Sequence, residues 1–430
     1  MKRLRIGLLV ALCILTAALC GIFVYGMTGH NIYRGIKNRE YTGIQLVLEK
    51  EISGDEIDSI LISNKVCSND IYIYESESDT ITVKEYSEFK LTEDEISTVK
   101  VNNGRLEVAG KRKNQIGYYR GPFSFAGGKF YTELWLPESY HGEISLEAVS
   151  GDIIAEPAIN LAKDFKAQSI SGDISLPVLT AKNISISSTS GYIKTETIHA
   201  DDNGSNGAVR IATTSGDINL KQVTGELNLS TTSGYTTMET LSGDGQFSTT
   251  SGDITIQHMG GSAVISTTSG DTTIQYMDGS AAITTTSGNI SIHEGNGDRN
   301  VTSTSGDVFA EEFDGNFDIS ATSGDVIIKA RSGAGAIETI SGDIQLELEE
   351  LKNKLTINSN SGHVDIRLSE KNAFEFEAST TSGDINTFFD NHLNYSKKGN
   401  QAQGTYGSNV QGGLIDIETT SGDIQITQLR

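Results

Sequence analysis

The sequence predicts an all-β protein: a parallel β-solenoid (β-helix) of about 14–15 coils, with a β-rich N-terminal cap and one N-terminal transmembrane helix. Three observations predict it. A Ser-Gly dipeptide recurs in one register at fourteen positions, Ser150, Ser171, Ser190, Ser215, Ser233, Ser251, Ser269, Ser287, Ser305, Ser323, Ser341, Ser361, Ser382 and Ser421. From Ser215 to Ser341 the spacing is 18 residues seven times running. Gly numbers 46 of 430 residues while Pro numbers only 4, so the glycines are not those of a disordered linker, where both rise together. A fixed period this short marks a solenoid, because a propeller blade needs about 40 residues.

The chain opens with Lys2, Arg3 and Arg5, followed by an uncharged stretch over residues 6–29. Its apolar centre is about 20 residues, a full bilayer span and long for a signal peptide. Arg34, Lys37 and Arg39 lie just beyond it, but long domains translocate largely regardless of flanking charge. The expectation is residues 1–29 as cytoplasmic stub and anchor in the cell membrane, single-pass, with the bulk of the chain extracytoplasmic. A cleavable signal is the alternative. Two of the three cysteines, Cys13 and Cys20, fall in the span, which leaves Cys67 without an intramolecular partner outside it.

Residues 30–140 read as a juxtamembrane segment and an irregular β-rich cap that protects the end of the stack. Short alternating runs at 46–48, 57–62, 71–74, 80–83 and 106–108 are its strands. Tyr118, Tyr119, Phe123 and Phe125, with Arg120 and the Lys111–Lys113 stretch, form a basic-aromatic patch, either a docking loop or packed cap.

Residues 141–430 are the Ser-Gly-Asp repeat. Four positions before each Ser stand Leu229, Phe247, Ile265, Ile283, Val301, Ile319 and Ile337. Three and five positions after it the apolar columns continue, as in Ile254 with Ile256 and Val326 with Ile328, with Thr236 and Thr272 as exceptions. That is strand alternation repeated coil after coil. A second glycine column, Gly225 to Gly333, sits ten positions after the Ser and halves each coil. One coil cannot offset the backbone entropy of its own ordering, so stability requires a stack. The 39-residue step before Ser421 fits two coils, one carrying a loop over 391–413. A left-handed hexapeptide helix is the alternative architecture.

A net charge of −23 argues against nucleic acid and against an anionic membrane surface as partners. Two arrays are candidate sites. Asp217, Asp253, Asp271, Asp307, Asp325 and Asp343 stack in one column, either a calcium ladder or Asx-type turns in which Asp caps local backbone N–H groups. By strand parity Ser230, Thr232, Ser248, Thr250, Ser266, Thr268, Thr284, Thr286, Thr302 and Thr304, and beyond them Ser320 and Thr322, point outward as a two-column hydroxyl face. Such a face suits cell-wall polymer, glycan or ordered water, though Ser and Thr are also ordinary exposed strand residues. None of the 7 His recurs with the repeat and no Gly-x-x-x-x-Gly-Lys loop exists, so neither catalysis nor a cofactor is expected.

The strand ending Leu134-Trp135-Leu136-Pro137, followed by a train of Thr-Ser-Gly-Asp-Ile coils, resembles the bacterial candidate-adhesin family of β-strand repeat proteins of unknown function. With an N-terminal span it resembles the membrane-anchored, envelope-stress-associated members. The resemblance covers about residues 40–430 and implies an extracytoplasmic, non-enzymatic binding, adhesion or scaffolding surface at the cell envelope, with an envelope protein as a further possible partner. It carries no binding residues. A calcium-dependent exported β-roll is the alternative, and a polysaccharide-acting β-helix enzyme the third.

Overall fold

The computed structural model describes residues 41–64, 69–111, 117–119, 125–127, 129–202, 204–408, 410 and 412–429. The expected anchor at 1–29, Cys67, and Arg120 and Phe123 of the basic-aromatic patch lie outside the described residues. Among those described, no helix is long and apolar enough to cross a membrane.

Each 18-residue coil is two strands joined by two glycine corners. Strands that run up to the Ser-Gly corner, such as Gly245–Ser251, Ala263–Ser269 and Ala281–Ser287, pair in parallel to make sheet I. Strands that leave it, such as Ile254–Met259, Thr272–Met277 and Ile290–Asn296, make sheet II. The pairing register is one coil, with Ile265 opposite Ile283 and Ile256 opposite Ile274. The nine-residue corner spacing therefore gives a flattened, two-sheet coil, and the hexapeptide alternative is not the one adopted. The inward columns of both sheets form one apolar cluster that runs from Ile52 to Ile426. Thr236 and Thr272 stay in their inward column, each about 1% exposed.

The corners explain the glycine column. Gly270 has φ +140°, and an added Cβ would collide with the carbonyl oxygen of Gly252 one coil away. Only glycine lets successive corners stack this closely.

One inward position holds a charge that the sequence reading did not flag. Arg299 follows Ala263 and Ala281 in a sheet I column and is 0% exposed. Its strand partners are Ala281 on one side and Phe317 on the other, so the room for its side chain lies on the alanine side. Nη1 donates to the carbonyls of Gly279 at 2.9 Å, Gly297 at 2.9 Å and Asn296 at 3.1 Å, and the guanidinium lies 5.3 Å from the Phe313 ring. Burial pushes its pKa down to about 10, which still leaves it charged at neutral pH.

The ends depart from sequential stacking. At the C-terminal end Lys354 to Ser361 pairs with Leu414–Ser421, and that strand pairs on its other side with Phe374–Ser382. In sheet II, Val364–Leu368 and Ile385–Thr387 likewise flank Ile424–Gln428. The last coil of the chain is thus inserted between two earlier ones. The 39-residue step does not hold two stacked coils, as expected, but one coil followed by an antiparallel hairpin, Leu393–Tyr395 with Gln401–Tyr406, which covers the outermost strand.

The N-terminal end is threaded the same way. Ser59–Asn64 and Asp70–Ser76 form a parallel coil directly against Glu143–Ala148 and Ile153–Ala155. Arg105–Ala109 and Phe130–Pro137, later in the chain, lie outside that coil. The expected irregular cap is therefore two further solenoid levels, closed by the antiparallel strands Tyr41–Ser53, Thr80–Phe89 and Thr98–Asn102.

Candidate binding surface

Strand alternation in sheet I sends three columns inward and three outward. Two, four and six positions before each Ser are buried, as with Thr267, Ile265 and Ala263. One, three and five positions before it face solvent. The structure places Thr232, Ser248, Thr250, Ser266, Thr268, Thr284, Thr286, Thr302, Thr304 and Thr322 exposed on this face, with Ser230 and Ser320 half-buried there. Parallel pairing brings them into rows: Ser248, Ser266, Thr284 and Thr302 are successive partners.

The third outward column completes the surface: Asn228, Gln246, Val264, Ala282 and Asn300. Across five coils, from Asn228 to Thr304, the outer face of sheet I has no ionisable side chain, in a chain with 56 acidic and 33 basic residues. The outer face of sheet II carries ion pairs before and after residues 237–293. There Lys221 pairs with Glu196 at 2.9 Å, Arg331 with Asp314 at 2.9 Å, Lys329 with Glu311 at 3.2 Å and Arg367 with Glu347. Hydrogen bonds from Ser332 and Arg331 hold the Asp314 carboxyl below its usual range.

Toward the C-terminal end the hydroxyl columns change character, to Glu338 and Ile340, then Asn358 and Asn360, then Glu418 and Thr420. Here the face sinks into an open trough of about 690 Å³, lined by Thr302, Thr304, Ser320, Thr322 and these residues. Sequence reasoning missed the trough, because part of its lining, Glu418 to Thr420, comes from the out-of-order coil.

A further hydroxyl column, Thr213, Thr231, Thr249, Thr267, Thr285 and Ser303, is buried rather than displayed. Thr213 accepts the Gly216 amide at 3.0 Å, and Thr267 donates to Thr285 at 2.8 Å. These groups belong to the corner and not to the surface.

The six aspartates of the repeat column sit at the Ser-Gly corner. Each engages the following coil rather than its own turn. Asp253 Oδ1 accepts the Asp271 amide at 2.9 Å, Asp271 accepts that of Asn289 at 2.7 Å, and Asp307 and Asp325 accept those of Asp325 and Asp343 at 2.9 and 2.8 Å. Asp217 and Asp343 do the same for Tyr235 and His363. The local Asx-turn expectation is corrected: the acceptor serves a strand-to-strand cap one coil away, an amide the corner would leave unpaired. Where the column holds Asn289, its Oδ1 accepts the Asp307 amide at 2.9 Å in the same way. Among the described residues no group of three His, Cys, Asp or Glu side chains converges as a metal site.

The Toastrack DUF4097 family model matches residues 57–278, 236–312 and 296–427, nearly the whole of the solenoid. The chain belongs to the Toastrack DUF4097 family. The first match begins at the N-terminal coil, in agreement with a Toastrack solenoid that starts before the first Ser-Gly-Asp corner. No curated protein matches it. Solved structures similar to this Toastrack chain include a candidate cell adhesion protein from Clostridium sporogenes, 9% identical over 90% of this chain and 100% of that one, TM-score 0.15. Others are a candidate adhesin from Parabacteroides merdae, 14% identical over 71% and 99%, TM-score 0.23, and a candidate lipid-binding protein from Parabacteroides distasonis, 13% identical over 91% and 99%, TM-score 0.19.

Proposed function

We propose that this Toastrack protein is a non-enzymatic binding and scaffolding surface at the bacterial cell envelope. In this reading residues 1–29 anchor it in the membrane, the solenoid stands outside the cytoplasm, and the uncharged face of sheet I contacts cell-wall polymer or glycan, in a role tied to envelope stress. The observation that carries the reading is the absence of charge from the outer face of sheet I over five coils. In a chain with 56 acidic and 33 basic residues, that stretch presents hydroxyl and amide side chains with only Val264 and Ala282 among them. Uncharged strands at a spacing of about 4.8 Å give a polymer a regular set of hydrogen-bonding groups with little desolvation cost for charge. The adhesin descriptions of the similar structures and the family resemblance support the same class of role.

The test is cosedimentation of the protein with isolated cell-wall polymer. A Thr268→Lys/Thr286→Lys double variant, at exposed positions, should keep the melting temperature and lose the polymer. Undiminished cosedimentation of that variant would overturn the reading.

A further inference from the structure

At the N-terminal end the outer face of sheet II is neither hydroxyl-rich nor dominated by ion pairs. Three adjacent strands, Thr80–Phe89, Phe130–Pro137 and Asp70–Ser76, bring Tyr86 opposite Tyr131 and Tyr74 opposite Trp135. The rings form an unbroken series. Tyr86 stacks on Tyr131 at 4.7 Å, Tyr131 meets Tyr72 edge-on at 5.7 Å, Tyr72 stacks on Tyr74 at 6.2 Å, and Tyr74 lies 4.9 Å from Trp135. All five are half-buried, while the alternate residues Ile71, Ile73, Val83 and Leu134 are 0% exposed and fill the core. The rings are thus on the solvent side, where the core does not require them.

Polar groups are interleaved with the rings. Glu133 lies between Lys84 and Tyr72 across the strands and accepts the Trp135 Nε1 proton at 2.9 Å. Lys84 sits 5.0 Å over the Trp135 ring and 3.4 Å from Glu49. Burial pushes the phenols of Tyr72, Tyr74 and Tyr131 up, and burial with the Glu133 charge takes Tyr86 up to about 12. They are protonated donors throughout the physiological range.

We propose that this face is a second binding surface, for the sugar rings of an uncharged glycan chain. A saccharide is amphipathic in the same way as the surface: C–H faces that pack on aromatic rings, and a rim of hydroxyls that meets carboxylate, phenol and ammonium. Charge selects against the competing occupants. Glu49, Asp70, Glu133, Asp152 and Glu156 surround the rings, so a polyanion or an anionic bilayer would be repelled. The site is independent of the sheet I face in position and in side-chain chemistry.

Trp135 is the only tryptophan of the chain, so its fluorescence reports this surface alone. The full-length chain in neutral detergent is titrated with hexasaccharides of N-acetylglucosamine and of glucose. A saturable change in Trp135 emission is expected with at least one of them. Tyr74→Ala should weaken it about tenfold or more, while Tyr74→Phe, which keeps the ring and guards against misfolding, should retain most of it. Thr268→Lys should leave it unchanged, which separates this surface from the sheet I reading. No response to either sugar overturns the proposal, as does an equal response from Tyr74→Ala. A response to phosphatidylglycerol vesicles in place of sugar would also overturn it and make the face a membrane contact.

Discussion

Between residues 208 and 351 every coil lies against the coils before and after it in the chain, so Phe247 has Leu229 on one side and Ile265 on the other. At the two ends this order is broken. Ile417, thirteen residues from the C-terminus, is flanked by Ile357 and Ala378, which belong to two different earlier coils. Ile60, near the start of the solenoid, is flanked by Ile144 and Leu106. In a simple solenoid the terminal coil has one neighbour and frays first. Here the terminal coils have neighbours on both sides, and the exposed positions are taken by segments tethered at both ends and closed with antiparallel strands. The difference teaches that the middle is modular and the ends are locked. Antiparallel closure also leaves fewer unpaired strand edges to recruit other chains.

The sharpest way to break that comparison is to remove one coil from each region. Deleting residues 263–280 would bring Phe247 against Ile283 and Ile256 against Ile292, partners of the same kind in the same register. Deleting 414–430 leaves a coil-wide gap between Lys354 to Leu368 and Phe374–Thr387 that no equivalent strand fills. The expected outcome is a small fall in melting temperature for the internal deletion, and for the terminal one a fall above about 10 °C with loss of amide protection over 355–387. Equal effects from the two deletions would refute the locked-end account.

Within the modular region, Phe247→Ala removes a side chain that is 2% exposed between Leu229 and Ile265. The cost should be about 3–5 kcal/mol by chemical denaturation, because the stacked sheets cannot collapse into the space. A cost below about 1 kcal/mol would mean that the coils repack freely and that the column is not a close-packed core.

The modular region was legible in the sequence because each coil repeats the environment of the last. Fourteen aligned copies separate inward Ile265 from outward Ser266 even without coordinates. What escaped was whatever a column's average residue type disguises. Thr267 is polar by type but buried, and Arg299 stands in a column otherwise of Leu, Gly, Ala and Phe by turning back to corner carbonyls. The ends were illegible for another reason: which coil lies on which is decided by the pairing of strands, and nothing in the period distinguishes Ser421 from a coil that follows Ser382. The aromatic face was half legible. Alternation puts Tyr72 and Tyr74 outward, but only the antiparallel register between Thr80–Phe89 and Phe130–Pro137 brings Tyr86 to Tyr131.

The smallest expected effect concerns the aspartate column, which runs through the modular region and into the locked C-terminal end. Asp271 holds the Asn289 amide of the next coil at 2.7 Å, and Asp423 holds the Asp384 amide of the preceding coil at 2.9 Å, so the same cap works in either chain order. If the column exists to pair corner amides, Asp271→Ala should cost about 1 kcal/mol and Asp271→Asn much less, since Asn289 already makes the same bond. EDTA should then leave both the β-type circular dichroism and the melting temperature unchanged. A calcium ladder requires the reverse order: Asn would lose the charge that attracts the ion and behave like Ala, and chelation would unfold the stack. The pair Asp271→Asn and Asp271→Ala, melted with and without chelator, separates a ladder of hydrogen bonds from a ladder of ions, because only the first keeps its strength when the carboxylate becomes an amide.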